Sequence, residues 1–589
     1  ISKINKIYFT GNESFSNYQL KRKIKSKQRN ILRYLSGSTN FKKFQIENDR
    51  VNLINFYKDN GFKDILIDYK IEFIEASNKF NIYFFINEGK LFKYKNIILN
   101  LDKLKIDDEE KLNLIEEQNK FITKKLNKDN TFNISLLEKI REDLINKIYK
   151  YGVIFFEIDI SDKVSDDQIE ILLSFNEVKP KYVDQINITG NSRTKDKVIR
   201  REIAFAEGDP VNDNLLNKSS KNIRNLGIFQ NVELSDISKE ENTENIDVNI
   251  DVTERSTGQF QVGLTLDSYE GAVFVAGLSE KNILGDGRKL DLTINTSNKN
   301  TTYNLGVTEP YILNNKMDLL YGVNFSRRDY SSSSSYKIDN FKSNLGVEYS
   351  LTDDIDHLVE LAYSLKDYTV TDSSKVSDII KKQEGNNADI LLNNRLGYNS
   401  LDSRIRPTKG NYISYLNTIS PITNNENGYI KNVFQYHKYY SFDKASTFSF
   451  KTKIGNITSL QSAELATDDK FSLGGRWLRG FDVYGAGPRK SRTSYIGGKN
   501  IIATKFDYNR PVLGTSDNPI DLNLFIDAGT IFDNKVDPTN SEESIRSSYG
   551  FGIKFYSPIG PIGLSWAFPI SSESYDIERM FAFSIGNLN

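Results

Sequence analysis

The period at which apolar residues recur changes near residue 255, and this change constrains the fold more than any other feature of the sequence. Before it, helical spacing is mixed with short strand-like runs. After it, apolar and polar residues alternate, which is the period of a β-strand. Sixteen alternating segments follow one another, from 257–267 to 578–587. The first segment carries Phe260, Val262, Leu264 and Leu266 on one face and Gln259, Gln261, Gly263, Thr265 and Asp267 on the other.

Two architectures show this alternation, a soluble sandwich and a transmembrane barrel. The number of segments is even, and the segments are long. Short turns such as "LGDG" at 284–287 lie on one side, and long polar loops lie on the other. These features favour a sixteen-stranded antiparallel barrel whose apolar face meets lipid. No apolar run approaches the roughly 20 residues that a membrane helix requires.

The part before residue 255 repeats itself. The opening "IYFTGN" returns as "INITGN" at 186–191, and each reads as a strand followed by a Gly-Asn turn. Helical runs end in a glycine before a strand at 56–62, 148–155 and 223–229. Such a glycine is a common C-terminal stop of a helix. The repeated unit is therefore strand, helix, helix, strand, strand.

Two further patterns define these repeats. The closing strands place Glu88, Glu177 and Glu254 at matching points. One helix is predicted to begin at the capping-box spacing of Ser135 and Glu138, with leucine and isoleucine following at helical intervals. The chain is thus predicted to contain three α+β domains in tandem and then a barrel, with the bounds 1–90, 91–178, 179–255 and 256–589.

Composition excludes several classes of function. The chain has no cysteine, which rules out disulfides, thiol nucleophiles and zinc–thiolate sites. It has 78 basic and 78 acidic residues, and this zero net charge argues against a general nucleic-acid binder. The two histidines, His357 and His437, lie far apart in the sequence. No metal site and no cofactor are predicted.

A glycine-rich stretch, "GGRWLRGFDVYGAGPRK" at 474–490, interrupts the alternating part and surrounds Arg479. The two strands that follow place Asp507 and Asp527 on their lumen face. Two carboxylates on adjacent strands repel unless a cation lies between them, and the planar fork of arginine suits a pair of carboxylates. One interpretation is that the loop enters the barrel and that Arg479 bridges both aspartates. The alternative is an extracellular loop with a solvated arginine.

The same residues carry a resemblance to a known family. Leu478, Arg479, Gly480 and Phe481 match a Val/Leu-Arg-Gly-Phe motif in the sixth extracellular loop, and Phe525, Asp527 and Gly529 match a Phe-x-Asp-x-Gly strand motif. Both motifs resemble those of the BamA family of outer-membrane protein assembly factors. Asp507, four residues before Pro511, stands where relatives often have glutamate. The tandem domains resemble POTRA domains, of which BamA relatives usually carry five, whereas three are readable here.

The resemblance implies a function. Such a barrel folds and inserts other β-barrel proteins into the bacterial outer membrane as the central subunit of the barrel assembly machinery, with its POTRA domains in the periplasm and no enzyme activity or cofactor. The implied partners are outer-membrane lipid, accessory assembly lipoproteins, unfolded outer-membrane clients and periplasmic chaperones, with no nucleic acid. Glu207 of "FAEGDP" corresponds to a position that contacts a lipoprotein.

The first and last strands are predicted to form a lateral seam, at which a client strand could pair with unsatisfied backbone groups. The polar ending "GNLN" predicts that this pairing is weak. The residues assigned to the seam are Phe260, Gly263 and Leu264 on the first strand and Phe581, Phe583, Ile585 and Gly586 on the last.

Three alternatives remain at this point. The sister assembly factor TamA naturally has three POTRA domains, although the wording "RREIAFAEG" and "SPIGPIG" favours BamA. A two-partner secretion transporter normally has two POTRA domains and a plug helix, and neither is seen. A barrel enzyme such as an outer-membrane lipase would need a serine beside a histidine, and His437 in "FQYHKYY" has no evident partner.

Overall fold

The computed structural model divides the chain into two compact units, residues 1–189, 203–221 and 233–251 in one and residues 190–202, 222–232 and 252–589 in the other. The residues that the structure describes are 3–28, 41–75, 78–126, 130–238, 244–312, 315–352, 354–403, 406–423, 428–441, 443, 446–461, 465–491, 494–514, 519–532, 544–557 and 560–585.

The first sheet is built from a strand, two helices and two strands, as the repeat predicts. Its elements are Lys3–Thr10 (β1), Asn17–Lys23 (α1), Lys43–Lys58 (α2), Leu66–Ile74 (β2) and Lys79–Asn87 (β3). The central strand, β3, runs parallel to β1 and antiparallel to β2. Leu20 and Leu53 from the helices and Ile4 and Ile82 from the strands are fully buried between the two layers. This sheet has a hydrophobic core of its own.

The second sheet repeats that arrangement. Its elements are Lys93–Asn100 (β4), Asp108–Lys125 (α3), Ile134–Lys150 (α4), Phe156–Ser165 (β5) and Gln168–Glu177 (β6). Strand β6 runs parallel to β4 and antiparallel to β5. The predicted cap of α4 is wrong: Asn133, not Ser135, is the N-cap and accepts from the Leu136 amide. Ser135 lies inside the helix, and its amide and hydroxyl both donate to Asp59.

The elements of the third sheet region are Lys181–Thr189 (β7), Asp196–Arg200 (α5), Pro210–Val211 (β8), Asp213–Asn225 (α6), Phe229–Ser238 (β9) and Asn245–Glu254 (β10). The sheet has the order β8-β7-β10-β9, and its first and last long strands, β7 and β10, are again adjacent and parallel. Among the described residues, no helix is long and apolar enough to cross a membrane.

Two of the three matching glutamates have the same structural role. The Glu254 carboxylate accepts from the Thr194 amide at 2.7 Å, and the Glu88 carboxylate accepts from the Ser14 amide at 3.0 Å. Glu177 instead pairs with Lys105 at 2.7 Å. Burial opposes the charge of Glu254, but hydrogen bonds from Thr194 and Ser192 outweigh burial and lower its pKa to about 2.

The second part of the chain is a closed antiparallel barrel of sixteen strands, which confirms the predicted fold class. The elements of this part, in chain order, are Gly258–Asp267 (β11), Gly271–Ile283 (β12), Arg288–Thr296 (β13), Asn300–Glu309 (β14), Met317–Asp329 (β15), Tyr336–Thr352 (β16), Ile355–Val370 (β17), Asp378–Lys382 (α7), Gly385–Asn399 (β18), Gly410–Thr423 (β19), Tyr429–Tyr440 (β20), Thr447–Ser459 (β21), Gly480–Phe481 (β22), Arg489–Ser491 (β23), Ser494–Tyr495 (β24), Asn500–Gly514 (β25), Pro519–Phe532 (β26), Arg546–Ser557 (β27), Gly560–Ser571 (β28), Glu578–Arg579 (β29) and Phe581–Ile585 (β30).

The two faces of the barrel wall differ as the alternation predicts. Leu264 is 62% exposed on the outer surface, whereas Asp527 is fully buried on the inner side. Large apolar side chains are exposed on the outer face of many barrel strands, which is typical of a barrel in lipid. The predicted last strand, 578–587, requires a correction. Of the described residues in this range, only those of β30 belong to the barrel, because β29 turns away and pairs with β22; Gly586 lies outside the described residues.

The core of the second sheet gives a stability prediction. Leu144 of α4 is fully buried, and Leu112 of α3 is 64% exposed. In a fragment of residues 1–255, Leu144→Ala should lower the free energy of unfolding by about 2–5 kcal/mol, because it leaves a cavity. Leu112→Ala should change it by less than about 0.5 kcal/mol. Urea unfolding followed by circular dichroism measures both, and equal losses would contradict the assigned core.

Glu254 gives a prediction on pH. A carboxyl whose pKa is lowered on folding stabilises the fold above its unfolded value, and this contribution is lost as pH falls through the folded value. The amides of Arg193 and Thr194, which donate to Glu254, should therefore lose protection from hydrogen exchange between the ordinary pKa of 4.5 and about 2. Glu254→Gln should abolish this pH dependence. A variant with the wild-type pH profile would assign the loss of protection to another group.

Candidate functional site

The glycine-rich loop packs inside the barrel rather than extending into solvent. Leu478 and Phe481 are fully buried in an apolar cluster that includes Ile501, Ala503 and Ile531 of the barrel wall. Gly480 has a φ of +94°, a conformation that side chains rarely adopt, and a Cβ there would lie 3.2 Å from the Ser548 Cβ. The loop motif therefore positions two apolar anchors on either side of Arg479.

Arg479 lies between the two predicted carboxylates. Its Nε and Nη2 donate to the two oxygens of Asp527 at 2.7 and 2.6 Å, and its Nη1 donates to Asp507 Oδ1 at 2.8 Å. The Arg479 backbone amide also donates to Asp527, at 3.0 Å. The structure thus brings together the three charged residues of the prediction, and one guanidinium is shared by two neighbouring strands, β25 and β26.

The two remaining residues of the strand motif complete the contact with the loop. The Phe525 ring centroid lies 3.6 Å from the Arg479 Cζ, which is a cation–π contact. Gly529 leaves room for Leu473 of the loop, because a Cβ there would lie 3.1 Å from a Leu473 methyl group. The motif therefore supplies a ring, a carboxylate and a space on one face of β26.

Two residues of this site were not assigned from the sequence. Asn523 accepts from Arg479 Nη1 at 3.2 Å and donates to Asp507 at 3.0 Å. Its place on the lumen face of β26, two residues from Phe525, is a signal that could have found it. Ser548 donates its hydroxyl to the Arg479 carbonyl oxygen. A serine on a barrel strand carries no such signal.

The same loop contacts both strands that close the barrel. Arg476 pairs with Asp267 at the end of β11, at 3.4 Å. Asp482 pairs with Arg579 at 2.8 Å, and β22 adds backbone pairing to β29, which precedes β30. The loop therefore spans the join between the first and last strands.

The join itself is short. Among the residues that the structure describes, β30 pairs with β11 only through Leu266↔Ile585 and Asp267↔Ser584. A hydrogen bond from the Ser268 amide to the Phe583 carbonyl, at 3.0 Å, extends it by one residue. By contrast, β12 pairs with β11 along the whole of Gly258–Asp267.

The residues predicted for the seam therefore fall into two groups. Phe583 and Ile585 lie at the join. Phe260, Gly263 and Leu264 lie on the part of β11 that has no described partner in β30, and Phe581 pairs with Trp566 of β28.

The residues considered for other functions are Glu207 and His437. Glu207 is exposed and accepts from the Ile186 amide at 3.1 Å. The His437 ring lies against Tyr412 and Trp477, and neither offers the serine that a hydrolase would need. Within the described part of the chain, no group of three or more His, Cys, Asp or Glu residues could hold a metal ion.

Comparison with known protein families identifies the family to which this chain belongs. The profile described as the Omp85 superfamily domain matches residues 282–588, which is more than half of the chain. The chain belongs to the Omp85 superfamily. A POTRA profile, described as a surface antigen variable number repeat, matches residues 2–89 and 181–255.

Curated relatives and solved structures extend this result. The outer membrane protein assembly factor BamA of Neisseria meningitidis serogroup B is 24% identical over 634 residues, covering 99% of this chain and 78% of the relative. BamA of Nitratidesulfovibrio vulgaris is 23% identical over 600 residues, covering 99% and 73%. The crystal structure of Haemophilus ducreyi BamA lacking POTRA domains 1–3 has a TM-score of 0.64 and 20% identity, covering 84% of this chain and 99% of that one. The resemblance drawn from the two motifs is confirmed.

Two arginines of one loop give a matched pair of variants. Arg479→Ala strands two buried carboxylates and should destabilise the barrel by about 3–5 kcal/mol. The Arg476 side chain is 43% exposed and has one ion pair, so Arg476→Ala should cost less than about 1 kcal/mol. The temperature at which the barrel loses its compact electrophoretic mobility measures both. Equal and small losses of stability in the two variants would contradict the buried pairing of Arg479 with both aspartates.

Proposed function

We propose that this chain folds and inserts β-barrel proteins into the bacterial outer membrane by pairing the edge of β11 with a client strand. The observation that carries the proposal is that, among the described residues, β30 pairs with only two residues of β11, whereas β12 pairs with all of β11 on its other side. In lipid, unpaired backbone amides and carbonyls are costly, so an edge of this kind favours pairing with another strand.

The driving force requires no cofactor. A client strand that pairs with β11 gains backbone hydrogen bonds and then buries its apolar face in lipid. The chain acts in this proposal as a template and not as an enzyme. Two relatives that align with nearly the whole chain are named as outer membrane protein assembly factors, which supports both the activity and the location.

The partners follow from the same proposal. Clients are unfolded outer-membrane proteins, delivered by periplasmic chaperones to the POTRA domains, while outer-membrane lipid surrounds the barrel. We assign the POTRA domains to 1–90, 91–178 and 179–255, each containing one of the three sheets, and the barrel to 256–589. Glu207, exposed in the third of these, is assigned to an accessory lipoprotein.

The other membrane functions predict different routes. A TamA-like factor would use the same edge of β11, and it would differ from a BamA-like factor in its partners. A polypeptide secretion transporter would pass its substrate through the lumen. The loop that carries Leu478, Arg479, Gly480 and Phe481 occupies the lumen and is fixed to the wall by buried contacts, which favours the lateral route.

A covalent bridge across the seam tests the lateral route. Leu266 and Ile585 lie directly opposite each other, and opposed Cα atoms of antiparallel strands lie within the span of a disulfide. Because the chain has no native cysteine, Leu266→Cys with Ile585→Cys can form only the designed bond. Oxidation should reduce insertion of a client barrel into liposomes to background, and reductant should restore it.

The matched control places the same bridge elsewhere in the wall. Leu292 and Leu305 are opposed on β13 and β14, away from the seam. Leu292→Cys with Leu305→Cys should leave insertion unchanged when oxidised. Full insertion by the quantitatively bridged seam variant would refute the lateral route and favour passage through the lumen.

A further inference from the structure

A pocket of about 120 Å³ lies in the lumen beside the pair that closes the barrel. Ser565 of β28, Ser584 of β30 and Asp267 of β11 form one side of it, and Asp267 and Ser584 are the opposed residues of the join. At roughly 30 Å³ per water molecule, the pocket has room for several waters or for one carboxylate group.

The charges around this pocket are unbalanced. Its lining contains five cationic side chains and two carboxylates. Three of the cations are lysines, Lys451 of β21, Lys505 of β25 and Lys554 of β27, and all three are half-buried. Lys451 and Lys505 stand directly opposite each other on adjacent strands, an arrangement that destabilises a sheet unless an anion is present.

Arginines already pair with the carboxylates near these lysines. Asp527 lies opposite Lys505, but both of its oxygens accept from Arg479. Asp521 lies opposite Lys554, but Arg406 binds it through two hydrogen bonds of 2.9 and 2.8 Å.

The other two carboxylates are also shared with arginines, since Asp507 accepts from Arg479 and Asp267 pairs with Arg476. Among the described residues, no carboxylate oxygen lies within 4.0 Å of the ammonium group of Lys451, Lys505 or Lys554.

The lysines contact neutral groups instead. Lys554 donates to the side-chain oxygen of Asn509 at 3.0 Å, and Lys505 donates to the Arg476 carbonyl oxygen. These contacts satisfy hydrogen bonds, and the three ammonium groups form no ion pair with a described carboxylate, in a confined space where charges interact more strongly than in bulk water. The pocket is therefore suited to an anion that arrives from outside the chain.

We propose that this pocket binds a carboxylate of the client polypeptide, held by Lys451, Lys505 and Lys554. The inference rests on the proposed function: a client strand that replaces β30 beside β11 directs its lumen-facing groups toward these lysines. Strand β30 runs antiparallel to β11, so the C-terminus of a strand in its place lies toward Gly258, away from the pocket. The carboxylate is therefore that of an acidic side chain at the position of Ser584, which lines the pocket.

The test measures binding of one short strand-forming peptide to the full chain in detergent micelles by titration calorimetry. Three versions are compared: a free C-terminal carboxylate, a C-terminal carboxamide, and the carboxamide with one internal glutamate. The version with the internal glutamate, placed where it replaces Ser584, should bind about tenfold more tightly than the carboxamide, as a charge-assisted hydrogen bond would give. Tighter binding of the free acid alone, or equal binding of all three versions, would overturn the proposal.

Variants then locate the site. Lys451→Gln, Lys505→Gln and Lys554→Gln together should abolish the preference for a carboxylate and leave binding of the carboxamide unchanged. Lys438→Gln, on an exposed lysine of β20, should retain the preference. If the triple variant does not fold, Lys451→Gln alone should reduce the preference, since it removes one of the two opposed lysines.

Two outcomes would overturn the site. One is a preference that persists in the folded lysine variants. The other is displacement of the glutamate peptide by sulfate at an equal concentration, which would indicate an unspecific anion site. The seam disulfide separates this proposal from the proposed function. A blocked seam that stops insertion, together with equal peptide binding, would overturn the pocket alone. Insertion through a bridged seam, with the preference intact, would overturn the seam alone.

Discussion

The contact on which the barrel interior depends is one guanidinium shared by two carboxylates. Arg479 comes from a loop, whereas Asp507 and Asp527 come from neighbouring strands, so the contact fixes the loop to the wall at one position. Burying three charges gains little net stability, because each loses its hydration. The arrangement instead fixes the position of the loop inside the barrel, because any other position would leave a buried carboxylate without a partner.

The other features of the interior follow from that fixed loop. Phe481 and Leu478 fill apolar space beside the wall, and Gly480 allows the backbone to pass close to Ser548. Once Arg479 has taken both oxygens of Asp527, the lysine opposite that aspartate has no carboxylate partner. The basic pocket is therefore a consequence of how the arginines are placed.

The architecture could be predicted because alternation over an even number of long segments, with short turns on one side and long polar loops on the other, favours a closed barrel in lipid. The pairing of Arg479 with Asp507 and Asp527 could also be predicted, since side-chain direction follows from counting by two along a strand. Pairing register could not be predicted, because it depends on contacts between distant strands. For that reason the pairing of β29 with β22 was not predicted, nor was the position of the join at Leu266 and Asp267, although the pairing of the first and last strands was predicted to be weak. The Asn133 cap was missed because a serine with capping-box spacing stood two residues later.

Two of the ion pairs of the loop, those that reach the strands at the seam, give the seam a direction. Arg476 reaches Asp267 on one side and Asp482 reaches Arg579 on the other, and both lie near the end of β11 that is already paired with β30. The opposite end of β11, at Gly258, has neither a described partner in β30 nor a contact of this kind with the loop. If β11 and the last strand separate from the Gly258 end, the contacts with the loop are the last to be reached. A client strand that enters at Gly258 would thus pair with β11 one residue after another, toward the end that the loop holds closed. The two edges of the seam would not separate along their whole length at once.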